Sequence, residues 1–230
     1  MQDINATILI NTKGKTKEEL FKNLEYSRRK NIKKALREGI YIEKTDSEED
    51  YKKCYEMYAQ ILKDGNAAPF PYEFWRKWAK EENWDLFAVR INKKSAGYFS
   101  AIKITKRYYG LNSDEPGVRP RVFASDKKFA DFRVNDFIYW NTILYGLNNQ
   151  ADFVDLGGYQ IKPRGHLIEV NKFKERWGGE IFYYNLEYPF YKAIARKLVR
   201  NIGFFWWLNE KLKKSKLKPT QMLLNQNILT

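Results

Sequence analysis

The feature that most constrains this chain is how often its hydrophobic period changes. Short apolar runs of strand character, at residues 6–10, 40–44, 122–125, 153–156 and 180–187, alternate with segments whose apolar positions recur at helical spacing. A run of period two and a stripe of period 3.6 each leave one greasy face that must be covered. Interleaved along one chain, they cover each other as helices laid on a sheet. The expected architecture is therefore α/β: one twisted mixed sheet flanked by helices.

Local punctuation sharpens that expectation. Thr16 and Glu19 form the sequence of a capping box for a helix beginning at Lys17. The basic stretch after it carries Leu20, Leu24, Ile32 and Leu36 at helical intervals and stops at Gly39. A second helix is predicted over residues 47–63, with Tyr51, Cys54, Tyr55, Tyr58, Ile61 and Leu62 on one face, and a short aromatic one over 72–80. Residues 84–91 and 96–105 form a predicted hairpin about Asn92, Lys93 and Lys94. The Gly-, Pro- and Asn-containing stretch 111–121 is predicted as a loop, followed by helices over 135–150 and 169–176. An amphipathic basic helix is predicted over 189–214. The expected division is a domain of residues 1–188 and a terminal helix with tail, 189–230.

With 230 residues, 43% of them hydrophobic, the chain can bury a substantial core. Its 42 Lys and Arg against 28 Asp and Glu leave a charge of +14, which suits a polyanionic partner: RNA, an anionic membrane surface or a phosphorylated carrier. Cys54 is the single cysteine and His166 the single histidine, so an intramolecular disulfide and a cysteine-based zinc site are excluded and no metal is expected. The amino-terminal residues lack a basic region ahead of a long apolar core, and no apolar run reaches the ~18 residues of a spanning helix. A cytoplasmic protein is expected, in contact with the inner face of the membrane through the aromatic cluster Phe204, Phe205, Trp206, Trp207 and Leu208.

Three segments, in order, carry a family resemblance. SRRKNIKKALREGIYIEK (27–44) is similar to a basic helix and following strand, and VNDFIYWNTILYGLNNQADFVDLGG (134–158) to a helix followed by a strand ending in Asp-Leu-Gly-Gly. GHLIEVNKFKERWGGEIFYY (165–184) is similar to a closing Phe-Lys-x-x-Trp-Gly-Gly motif. Together they resemble the Fem-type aminoacyl transferases within the wider GNAT-like acyltransferase superfamily. The resemblance implies a single acyl-CoA N-acyltransferase-like domain that moves an aminoacyl group from aminoacyl-tRNA to an amine of a peptidoglycan or other cell-envelope precursor, without a cofactor. The larger members have two tandem domains and this chain has room for one, which leaves space for a homo-oligomer or a partner chain. The Arg/Gln-x-x-Gly-x-Gly/Ala pyrophosphate loop of coenzyme A users is not found here. Acyl-CoA- or carrier-dependent N-acylation of an amino sugar or lipid is the second expectation, and a non-catalytic RNA- or membrane-binding module the third.

On the resemblance, Lys174 is the expected oxyanion donor, against its alternative as one more solvated cation. Asp155 ends a buried strand and either orients the attacking amine or is a buried partner for the neighbouring helix. Gly157, Gly158 and Tyr159 line the expected cleft. Asn135 is a candidate N-cap or substrate contact. His166 has the side chain of a general base, at a loop position the family does not reserve for it. Arg28, Arg29 and Lys33 belong to a basic run that either is solvated or meets phosphates. Phe137, Trp140, Phe173 and Trp177 are expected in the core.

Overall fold

The computed structural model describes residues 2–65 and 68–187. In chain order the elements are β1 (Gln2–Asn11), α1 (Lys17–Asn23), α2 (Tyr26–Arg37), β2 (Tyr41–Thr45), α3 (Glu48–Asp64), α4 (Tyr72–Glu81), β3 (Asp85–Ile91), β4 (Lys94–Thr105), β5 (Pro116–Ser125), α5 (Val134–Asn148), β6 (Phe153–Tyr159), α6 (Leu167–Glu175) and β7 (Glu180–Glu187). Seven strands form one sheet in the order β2-β3-β4-β5-β6-β1-β7. All neighbours are antiparallel except β5 and β6, which are parallel.

The expected α/β architecture is what the chain adopts, and the local reasons hold in most places. Thr16 and Glu19 make the reciprocal capping box at the start of α1, and Ser47 caps α3. The tip of the β3–β4 hairpin is a two-residue turn with Asn92 and Lys93 at φ 48° and 64°, the left-handed pair that matches strand twist. Side chains alternate along β3: Val89 and Ile91 face the core with α2 and α5, while Leu86 and Ala88 face the aromatic core of α3 and α4. In that second core Trp75 is enclosed by Tyr51, Tyr55, Tyr58, Tyr72 and Trp84. Gly146 allows α5 to lie close on β6, because a Cβ there would meet Val154 Cγ2 at 2.2 Å.

Four expectations are corrected. The basic helical stretch is two helices, interrupted at Leu24 and Glu25, and Leu36 is exposed rather than core-facing, as is Ile61. The stretch predicted as a loop over 111–121 is strand from Pro116 onward. Both of its prolines sit where a ladder can spare an N–H: Pro116 at the strand's first residue, and Pro120 where the register with β4 shifts between Ser100 and Ala101. Asn135 is not a cap. Arg133 takes that position in the left-handed conformation, and Asn135 is exposed within the first turn. The predicted helix over 189–214 and the cluster at 204–208 lie outside the described residues.

The fold's consequential irregularity is between β5 and β6. Parallel pairing is confined to Gly117 with Phe153 and Val118 with Val154, after which the strands part toward their carboxyl ends. Parted strands expose unpaired backbone N–H and C=O groups, which need partners from side chains or ligands.

Candidate functional site

The fork between β5 and β6 is where titratable side chains gather. Asp155, the first residue of β6 beyond the last paired position, is wholly buried. Its Oδ1 accepts from the Thr7 hydroxyl and from Gly157 N at 2.7 Å, and its Oδ2 accepts from Tyr109 Oη and Arg119 NH1, each at 2.7 Å. Arg119 is the matching residue on the β5 arm, itself 5% exposed, with its guanidinium 4.8 Å from the centre of the Tyr108 ring. Strand β1 contributes Thr7, the turn after β4 contributes Tyr109, and the two arms contribute the ion pair. The fork is thus tied together by one carboxylate with four donors.

Helix α6 closes the group from the other side. Its buried residues are Asn171 and Lys174. Asn171 exchanges two hydrogen bonds with the backbone of Gln160, at 3.1 and 2.8 Å, which fixes the helix against the end of β6. One turn on, Lys174 Nζ donates to Gly158 O at 2.7 Å, and a Cβ on Gly157 would stand 3.5 Å from that nitrogen. Gly157 has φ +83°, a conformation in which a side chain is strained, so glycine both turns the strand end and admits the lysine. Gly158 faces open space on its Cβ side.

Electrostatics follow from burial. Loss of water pushes the Lys174 ammonium down to about 8; Asp155 opposes that fall and Arg119 adds to it. Burial works against the Arg119 cation too, but Asp155 overrides it and keeps the guanidinium protonated. Burial, then Asp155, pushes the Tyr109 phenol well above its ordinary range, so it remains a donor. An ammonium has three N–H bonds. Among the described residues the hydrogen bond to Gly158 uses one, and two remain for a ligand.

The other expected site residues lie apart. Arg28 is 7% exposed and pairs with Asp136 of α5 at 2.6 Å, beside Asn31 and over the face of Phe173 at 5.0 Å. It is a buried strut between α2, α5 and α6, not part of a solvated phosphate-facing row. Arg29 donates to the carbonyls of Lys22 and Leu24 and closes the carboxyl end of α1. Lys33 is exposed, 5.9 Å from the Phe21 ring. Tyr159 donates to Glu175 at 2.7 Å, and that acceptor raises its phenol to about 12. His166 is exposed at the N-cap of α6. Phe137, Trp140 and Trp177 are buried and Phe173 packs against them.

Arg119, Tyr109 and Thr7 are not among the sequence candidates. The stretch around Arg119 is buried without alternation from Gly117 to Pro120, and Val118 faces the opposite core from Val122 and Ala124, so no period of two marked Arg119 on a strand. Nothing near Tyr109 or Thr7 in sequence marks them. A cavity of about 360 Å³ lies elsewhere, near the start of β6, lined by Leu20, Ile143 and Trp177 with Lys13, Lys106 and Asp152. Two of its three lysines are paired, Lys13 with Asp152 and Lys106 with Glu115. Among the described residues no cluster of three His, Cys, Asp or Glu is placed to hold a metal, and no helix is long and apolar enough to cross a membrane.

The fold is shared with solved structures. The structure of FemX superposes with a TM-score of 0.65 at 13% identity, over 78% of this chain and 61% of FemX. The C-terminal domain of an Agrobacterium fabrum protein assigned as a lysylphosphatidylglycerol synthetase superposes at 0.54 with 11% identity, over 80% of this chain and 60% of that one. A Bacteroides thetaiotaomicron protein of unknown function gives 0.52 at 10% identity, over 81% and 62%. The chain spans about three fifths of the length of each. No family model and no curated protein sequence matches. The fold is the one seen in FemX and in the lysylphosphatidylglycerol synthetase C-terminal domain.

Proposed function

We propose that this protein is an acyltransferase that moves an aminoacyl group from an aminoacyl-tRNA ester to an amine of a peptidoglycan or other cell-envelope precursor. The supporting observation is Lys174: a buried ammonium, held at the carbonyl of Gly158 where two parallel strands part, with two N–H groups to spare. An acyl carbonyl laid in the fork beside Gly158 would present its oxygen to those donors.

The chemistry then needs little else. The amine nitrogen attacks the ester carbonyl, and the C=O π electrons move onto oxygen, where Lys174 stabilises the charge in a low-dielectric pocket. The tetrahedral adduct collapses, the ester C–O bond breaks, and the released ribose hydroxyl takes the proton shed by the amine. Asp155 acts as a positioning residue: with its oxygens given to Thr7, Tyr109, Arg119 and Gly157, it fixes the strand arms and keeps two cations near the acyl group. The net charge of +14 favours a polyanionic donor.

The test is transfer of a labelled amino acid from charged tRNA to amine acceptors by the purified chain. Lys174→Met is expected to lower the rate about 10²- to 10³-fold in a protein that stays folded. The ratio of wild-type to variant rate is expected to fall as pH rises through about 8, where Lys174 loses its charge. An unchanged rate in folded Lys174→Met overturns the assignment. A ratio that rises with pH would make Lys174 a base instead. Stabilisation by coenzyme A in place of charged tRNA would move the donor to a thioester.

A further inference from the structure

Exposed apolar side chains are scattered singly over most of the surface, as they are on ordinary monomers. Around α6 they gather. The segment from Gln160 to Asn171 leaves the sheet and returns to it, closed at its base by the two Asn171–Gln160 hydrogen bonds. On this lobe Ile161, Ile168 and Val170 are 43%, 40% and 38% exposed. Ile168 and Val170 lie on opposite shoulders of the first turns of α6, on either side of the buried face that carries Asn171 and Lys174. On the neighbouring sheet, Tyr159 of β6 and Tyr183 of β7 both pair with Ala6 and so flank it in one row, with Tyr183 exposed at 57% and Tyr159 bonded to Glu175 of α6.

Cations accompany these residues. Lys172 pairs with Glu169 at 3.1 Å, whereas Lys162 and Arg164 are exposed and have no carboxylate partner among the described residues. Aliphatic side chains projecting from a pinned lobe, with a tyrosine at the margin and unpaired cations beside them, match an anionic bilayer interface: hydrocarbon for the aliphatics, the headgroup level for the phenol, lipid phosphates for the cations. We propose that the 160–172 lobe, with Tyr183, is a membrane-contact surface that lays the helix carrying Lys174 against an anionic lipid face. This surface is separate from the terminal segment expected from sequence to touch the membrane, and it stands whether or not the transferase proposal does.

The experiment is co-sedimentation of the full chain with vesicles of phosphatidylcholine mixed with phosphatidylglycerol, and with vesicles of phosphatidylcholine alone. Binding to the mixed vesicles and little to the neutral ones is expected. Ile168→Asp, at an exposed position where folding is spared, should weaken partition about tenfold. Lys162→Ala and Arg164→Ala should each weaken it about fivefold. Lys52→Ala and Lys63→Ala, which remove exposed cations of α3, should leave it within about twofold. Equal partition of Ile168→Asp and wild type overturns the proposal, as does a loss on the α3 variants equal to that on the lobe variants. If Ile168→Asp instead turns a dimer in solution into a monomer, the surface joins two copies of the chain and the membrane assignment is wrong. Normal vesicle binding by Lys174→Met, without transfer, separates this surface from catalysis.

Discussion

Among the described residues three buried carboxylates pair with arginine, and two of them, Asp136 and Asp155, are built differently. Asp136 meets Arg28 in a closed pair: one anion, one cation, Asn31 on the second oxygen, and Phe173 over the guanidinium. Asp155 meets Arg119 in the same way at 2.7 Å, but it also holds Thr7, Tyr109 and Gly157 N, and a second cation, Lys174, is buried beside it. The first site is neutral and complete. The second contains more positive charge than it can neutralise, and the imbalance falls on the weakest cation present. Burial lowers the ammonium readily, whereas the guanidinium stays protonated. A neutral buried pair braces helices; a buried surplus of charge at an opening in a sheet is suited to receive an anion as it forms.

The largest way to break the comparison is at Asp155. Asp155→Ala leaves Arg119 and Lys174 buried without an anion and strips an acceptor from three further donors, so a loss of about 3 to 5 kcal/mol is expected in urea unfolding. Removing both members, as in Arg119→Met with Asp155→Leu, should leave most of that loss in place, because Lys174, Tyr109 and the Gly157 N–H stay unserved.

Next comes the pH dependence of stability. In the folded chain Lys174 gives up its proton near 8, and unfolded lysine near 10.5. Between those values the unfolded state binds more protons, so the contribution of Lys174 to stability rises with pH as the buried charge is relieved, and below about 8 its cost is fully present. The difference in unfolding free energy, wild type minus Lys174→Met, should rise by about 3 kcal/mol from pH 7 to pH 10.5. Taking the difference cancels the tyrosines, whose raised phenols destabilise the fold at the alkaline end.

At the closed pair the expected effects are smaller and of a different pattern. Arg28→Met or Asp136→Leu alone should cost about 2 to 3 kcal/mol, and the two together less than about 1 kcal/mol, because the other groups the pair serves, Asn31 and Ser27, are only half-buried and can turn to water. The smallest effect sharpens the site's boundary: His166→Ala, at an exposed helix cap, should shift stability by no more than about 0.5 kcal/mol and leave the transfer rate unchanged.

The contrast also marks what could be seen in the residue string. Elements carried by local chemistry were legible: the Thr16–Glu19 box, the Asn92–Lys93 turn, and the strand over 180–187. The apolar run ending in Asp155-Leu156-Gly157-Gly158 and the position of Lys174 in the closing motif were legible too, and both fall at the fork. What completes the site is long-range. Asp155 takes its partners from positions 148, 46 and 36 residues away, and Arg28 finds Asp136 across 108 residues. In sequence Arg28 was one cation in a row of them, and only packing of α2 on α5 distinguishes it from Lys30 or Lys33. Arg119 was hidden by prolines whose missing N–H groups fall where the ladder can spare them.

The most direct test of the account is titration of the lysine side chains by NMR with ¹³C at Cε, using Lys174→Met to assign the resonance. One lysine, absent from the variant's spectrum, should titrate with a midpoint of about 8. If the Lys174 signal instead titrates near 10.5 with the solvated lysines, the ammonium is not buried at the parted strands and the site described here does not exist.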